Sequence, residues 1–302
     1  MPDAISRNLR LAVTTGAELP EVLAVALASA APASVRDAIA LLVERETEIE
    51  ALLRDGGGAD ARRPAELEEA LRFDPELARV RPDLRDHEIR GKLVYAEMLG
   101  RWSFFQVAIW AIAGLELSRS DADYVEQLGV TTQLLDAQIW PMAVTRRLSH
   151  GGAPLARALI GAVATLYTKR ITAEPVGACM RFLDRAEARG ALSIESFVDE
   201  VLAGRETIPG VGRPVLGRDE RVTQQLSLAE RYGHRDGPSL ALVLAIEREL
   251  TAKKGLHFNA AGIQAALLRD LGFLPKQAVA ISALYFFVPA LAQATFSTPS
   301  AE

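Results

Sequence analysis

Cysteine is almost absent: Cys179 is the single one in 302 residues. An intrachain disulfide framework and a cysteine-based zinc site are therefore excluded. The scarcity suits a reducing compartment, and a cytoplasmic location is the expectation. There is no basic excess either. The net charge is −5, which argues against a nucleic-acid binder. No alternating strand pattern of convincing length, no internal repeat and no low-complexity tract appears. The first residues, Met1 to Val13, lack a continuous apolar signal core. One stretch lacks charge altogether. Nothing between Lys276 and Glu302 is ionised, and Ala278 to Phe296 is largely apolar. A spanning helix needs about 20 apolar residues. Here Ser282, Pro289, Gln293 and Thr295 interrupt the run, so a buried core or subunit-interface helix is expected rather than a membrane anchor.

What is present is ordinary globular composition, 49% apolar and 24% charged. The length allows one large or two modest domains. Nearly every segment reads as helix. Ser34 and Asp37 cap one that runs to Gly56-Gly57-Gly58, and residues 59–70 fit a linker or exposed helix. Ser103 to Leu117 is an apolar run stopped near Gly114. Ser120, Asp121 and Asp123 open the next helix. Ala153 to Thr168, Phe182 to Ala203, Arg221 to Tyr232 and Ser239 to Lys254 continue the series.

Between them lies the loop Ile208 to Gly217. Gly210, Val211 and Gly212 give a flexible backbone that can approach a ligand, followed by Arg213, Arg218 and Arg221, which suit carboxylate or phosphate. A GxG on its own is also what a helix-joining turn looks like. It does not fit a dinucleotide fold, because no strand precedes it and the third glycine is missing.

The order of motifs is more specific. Ile89-Arg90-Gly91 and then Leu99 to Phe104 resemble the opening "IRGY…ELIGKLSF" stretch of citrate synthases and citryl-CoA lyases. Pro209 to Val215, then Asp219-Glu220-Arg221, resemble their "PGFGHPL…DPR". Lys254 to Ile263, with Ala266 to Leu268 and Leu271 to Phe273, resemble "KG…NVDGA…ALLLDLGF". Val288 to Leu291 resembles "RVPGLIAH". The resemblance covers about Asp86 to Phe296. It implies an all-α, citrate synthase-like two-domain helical fold that forms a homodimer and takes an acyl-CoA as substrate or ligand, with no tightly bound cofactor and no metal. It divides the chain into a helical extension at 1–85, a large domain with the dimer interface at 86–174 and 265–302, and a small domain at 175–264 that carries the CoA-binding loop.

The family joins or splits acetyl-CoA and an oxo-acid, with an aspartate base, two histidines and carboxylate-holding arginines. The resemblance puts Ala261 at the aspartate and Arg213 at the histidine of "GFGH". Neither exchanges a proton near neutral pH, and a general base contributes about 10²–10⁴-fold. The "HGGA" histidine has two candidate registers. One is the literal His150-Gly-Gly-Ala-Pro154. The other, favoured because it keeps the helices in order, falls at or near Pro175, with neighbouring Glu174 as a displaced base or a simple helix-start acid. Arg221 matches the "DPR" arginine, and Phe287 stands where another arginine is expected. With Gly210, Val211, Gly212, Arg218, Asn259 and Gly262 they make the expected ligand frame. Losing an arginine would leave a buried carboxylate uncompensated, so a partner less charged than oxaloacetate or citrate is expected. His257 reads as a surface or capping histidine, Cys179 as a buried hydrophobe, and His87 and His234 as exposed. Three functions remain open: a non-standard acyl-CoA reaction that forms or cleaves a C–C bond, of acyltransferase or lyase type; a non-catalytic, pseudoenzyme-like metabolite-binding or regulatory subunit; and an ordinary citrate synthase or citryl-CoA lyase using His150.

Overall fold

The structure is a computed structural model that describes residues 77–81, 85–133, 136, 139–165, 173–189, 194–212 and 218–296. The expected helix from Ser34, the Gly56–Gly58 hinge, Arg213 and nearly all of the 1–85 extension lie outside these residues. The description below concerns the compact unit formed from Glu76 onward.

The unit opens on a small antiparallel sheet, β1 (Ala78–Val80), β2 (His87–Ile89) and β3 (Lys92–Leu93), in the order β1-β2-β3. Strands of two or three residues carry too little alternation to show in a sequence, which is why none was expected. Arg90 and Gly91 form the turn between β2 and β3, both at positive φ (47° and 81°). A two-residue hairpin with both central residues left-handed matches the twist of the flanking strands. The turn docks on the first helix: Arg90 Nε donates to the Ala111 carbonyl at 3.0 Å, and Trp110 Nε1 donates to the Ile89 carbonyl at 2.8 Å. A π-helical turn, Val94–Met98, follows. The Asp86 carboxylate ties it back by accepting the backbone N–H groups of Tyr95 and Ala96.

All further regular elements among the described residues are α-helices. They are α1 (Phe104–Ala113), α2 (Arg119–Val130), α3 (Trp140–His150), α4 (Leu155–Thr165), α5 (Glu174–Ala188), α6 (Ile194–Ala203), α7 (Glu220–Arg231), α8 (Pro238–Lys254), α9 (Ala260–Asp270) and α10 (Pro275–Phe296). The all-α expectation holds. Capping sets many of the ends. Ser103 and Gln106 form a reciprocal capping box at α1, and Gly114, at φ 67°, closes that helix. α2 is capped by Ser118 rather than Ser120. The segment expected as one helix from Phe182 to Ala203 is two, α5 and α6.

The core is built around α9, whose residues Ile263 and Ala265 to Leu268 are buried. Helix α8 packs beside it as an antiparallel hairpin. The Asp270 carboxylate at the end of α9 accepts from Ser239 N (2.8 Å) and Leu240 N (3.0 Å), capping α8. Helix α5 runs parallel to α9: Cys179 meets the start of α9 at Gly262, and Asp184 meets its end at Arg269. A second cluster joins α3, α4 and α10 through Met142, Ala162, Phe286 and Ala290.

Helix α10 is long and apolar enough to cross a membrane by length and composition, with a mean hydropathy of 1.7. It nevertheless packs against α1, α3, α4 and α5, with Ala278, Ile281, Ser282, Tyr285 and Phe286 buried. Pro289 sits inside it. Proline has no N–H, so the Tyr285 carbonyl one turn earlier loses its helical donor. Gln133 Nε2 supplies one at 3.2 Å. Phe287, Val288 and Leu291 remain exposed on this helix, as do Leu155, Ile160 and Val163 on α4.

Candidate functional site

The glycine loop is fastened to the α8–α9 connection. Val211 pairs with Phe258 as an isolated antiparallel bridge. Gly212 N donates to the His257 carbonyl (2.9 Å), and Asn259 N donates to the Gly210 carbonyl (2.8 Å). Asn259 adds a side-chain bond from Nδ2 to the Gly212 carbonyl (2.7 Å), while its Oδ1 caps α9 by accepting from Ala261 N and Gly262 N. The glycines therefore serve backbone packing first. A Cβ on Gly210 (φ 75°) would lie 2.6 Å from Gly262 Cα and 3.4 Å from Cys179 Sγ. A Cβ on Gly262 would lie 2.7 Å from the Gly210 carbonyl and would strike the Phe258 ring.

Arg221 occupies the first turn of α7, and its guanidinium is already engaged. Its Nε and Nη2 donate to the two oxygens of Asp219 at 2.8 and 2.7 Å. Asp219 also caps α7 through Arg221 N and accepts from Ala260 N at the head of α9 (3.0 Å). One buried carboxylate thus joins two helix N-termini and a guanidinium, all of which favour negative charge. Burial alone would raise its pKa. The bonds from Arg221 and Ala260 outweigh burial and hold the carboxyl below its usual range.

Next to this junction lies a second polar group. Glu247, buried on α8, faces His257: Oε1 to Nδ1 is 3.3 Å. Thr251 Oγ1 donates to the Leu256 carbonyl (2.9 Å) and lies 3.3 Å from the same Nδ1. Arg218 approaches Glu247 from the loop end at 3.4 Å. His257 is thus half-buried and paired, a carboxylate–imidazole contact that sequence reasoning did not anticipate. A signal was there to read. Leu240, Val243, Glu247 and Leu250 follow one another at spacings of three and four, so Glu247 is a charge on an apolar stripe.

Among the other expected positions, Pro175 is buried in the first turn of α5 and Ala261 lies half-buried in the first turn of α9. Cys179, one turn beyond Pro175, touches Gly262, so the start of α5 is brought to the start of α9. Burial pushes the Cys179 thiol up to about 12, consistent with an inert side chain. Glu174 is half-buried in the first turn of α5 and accepts from Arg181 at 3.0 Å. His150 ends α3, exposed, and α3 packs chiefly on α4 and α10, neither of which carries the glycine loop. Phe287 is exposed on α10. His234, expected to be exposed, is half-buried, stacked on Tyr124 at 4.6 Å and 2.9 Å from Asp121. No group of three or more His, Cys, Asp or Glu side chains gathers to hold a metal among the described residues. A depression of about 420 Å³ exists, but it lies at the far end of α9, beside Asp184, Arg269 and Asp270.

No family model and no curated protein matches the sequence. Solved structures do. Citryl-CoA lyase from Hydrogenobacter thermophilus superposes with a TM-score of 0.64 at 18% identity, over 76% of this chain and 88% of that one. The chain has the citrate synthase-like fold. ATP citrate lyase of Methanosaeta concilii, a D541A mutant in complex with (3S)-citryl-CoA, matches with a TM-score of 0.63 at 21% identity, over 82% of this chain. Citrate synthase from Thermoplasma acidophilum, in ternary complex with carboxymethyl coenzyme A and oxaloacetate, gives 0.52 at 16% identity, over 66% of this chain. The chain spans only 41% of that ATP citrate lyase and 54% of that citrate synthase. The citrate synthase-like fold is thus present, with alanine, Ala261, at the head of α9.

Proposed function

We propose that the protein binds a CoA thioester beside the glycine loop and the head of α9, and carries out a C–C bond-forming or bond-cleaving acyl-CoA reaction with a partner less charged than oxaloacetate or citrate. The observation that carries this is the junction of Gly210, Gly262 and Asn259. It holds the loop against the start of α9 and, through Cys179, against the second turn of α5, and glycine there leaves the backbone open to close approach. Two of the similar structures hold a CoA ligand. The preference for a less charged partner rests on two features: Arg221 is already satisfied by Asp219, and Phe287 offers no charge. Cytoplasmic placement, the division into a large and a small domain, and a homodimer joined through the exposed apolar residues of α4 and α10 belong to the same proposal.

A second reading is favoured by Ala261 itself. A methyl group accepts no proton, and a binding or regulatory subunit needs none. Titration calorimetry with acetyl-CoA, propionyl-CoA and free CoA tests the common ground. Saturable binding is expected; no heat with any of the three at millimolar concentration would remove the first reading, and turnover by the native protein would end the second.

A further inference from the structure

We infer that His257, held by Glu247 and Thr251, is the proton acceptor of this site, acting on the α-carbon of a bound acyl thioester. The inference rests on the proposed CoA-thioester function. The hydrogen-bond network assigns the tautomer. The Thr251 hydroxyl gives its proton to the Leu256 carbonyl, so toward His257 it presents a lone pair. Glu247 Oε1 is likewise an acceptor. Two acceptors at 3.3 Å from one ring nitrogen require a proton on Nδ1. In the neutral ring the lone pair is then on Nε2, which makes no hydrogen bond among the described residues, on a side chain that is 38% exposed.

The position is suitable. His257 pairs through its carbonyl with Gly212 and precedes the α9 cap, Asn259, by two residues. Phe258 between them is buried, and alternate residues of an extended segment share a face. His257 and Asn259 therefore lie on the face opposite Phe258, and Asn259 Oδ1 accepts the N–H of Ala261, a residue that supplies no base. In the step, the α C–H bond breaks. Its electron pair passes to the thioester carbonyl as an enolate, and its proton passes to Nε2. The resulting imidazolium keeps its Nδ1–H toward the Glu247 carboxylate, which stabilises the charge. Return of a proton from the ring restores the thioester, so in heavy water the α-position gains deuterium. Glu247 acts through the ring and is a positioning residue.

Two measurements on the full chain test this. Long-range ¹H–¹⁵N correlation on histidine-labelled protein, with His257 assigned through His257→Gln, reads the tautomer; Nδ1–H is expected, and Nε2–H overturns the inference without reference to any ligand. Deuterium incorporation into acetyl-CoA, followed by mass spectrometry beside calorimetric binding, reads the function. Exchange is expected in the native chain. His257→Gln should slow it about 100-fold, and Glu247→Gln at least about tenfold, with acetyl-CoA affinity kept in both. A native chain that binds acetyl-CoA without exchange, or variants that exchange as fast as the native chain, overturn the role of His257 and leave the CoA-binding reading standing. Failure of the native chain to bind any thioester removes that reading and this one together.

Discussion

The Arg221 guanidinium closes on the Asp219 carboxylate with two bonds, 2.8 and 2.7 Å long, and the same carboxylate accepts the first N–H of α9. The arginine that resembles a substrate clamp thus already has a counter-ion within the fold. Asp219→Asn should destabilise the fold by about 3 kcal/mol, since it leaves a partly buried guanidinium without its counter-charge. Urea unfolding of both proteins measures the difference.

That difference should depend on pH in a stated direction. The folded Asp219 carboxyl lies below its ordinary value of 3.8, so the folded state prefers the charged form. The contribution is complete above the unfolded value and is lost as pH falls through the lowered folded one. Urea midpoints of native and Asp219→Asn protein should differ by a constant amount above about pH 5 and converge below about pH 4. A gap that widens on acidification contradicts the assignment.

Gly210 and Gly262 meet backbone to backbone. Gly262→Ala should cost about 1–3 kcal/mol by overpacking. Gly210→Ala should cost at least as much, because its φ of 75° adds strain to the clash. Thermal melts check both. Gly233→Ala, strained by a φ of 79° but with open space at its Cβ, is the control that separates strain from clash and should cost less than Gly210→Ala.

Tyr124 is fully buried, and its hydroxyl has no hydrogen-bond partner among the described residues. Burial pushes its pKa well up. Tyr124→Phe keeps the ring against Tyr232 and His234 and removes the unsatisfied group. It should stabilise the protein by about 1 kcal/mol; a loss of that size in chemical denaturation would mean the hydroxyl has a partner after all.

Val288 and Leu291 on α10 and Ile160 on α4 are exposed at 60%, 38% and 49%. If the proposed dimer uses this face, Val288→Glu with Leu291→Glu should halve the mass seen by sedimentation while leaving helicity unchanged. A monomeric native protein would refute the dimer directly.

The helices were legible because apolar spacing and caps are local. Ser103, Gly114 and Asn259 announce their ends in a few residues each. The order of motifs carried the fold across longer distances. The site was harder, because its decisive contacts join residues far apart in the chain. Asp219 reaches Ala260, and Cys179 reaches Gly262; neither spacing has a period. Arg221 looked available because its partner is two residues away in a motif that names both without saying they pair. Glu247 was overlooked as one acid among many on a long helix, although its place on the buried stripe distinguished it. The short hairpin at Arg90 escaped for the opposite reason, being too small to leave a pattern.

Cys179 is the only thiol in the chain, and it is sealed where α5 meets α9 and the glycine loop. Nothing needs to be engineered for it to report on that seam. An alkylating reagent reaches the sulfur only when the helices part, so the labelling rate of the native protein is a clock for their separation. A ligand that draws the seam together will slow that clock, and one that pries it open will speed it.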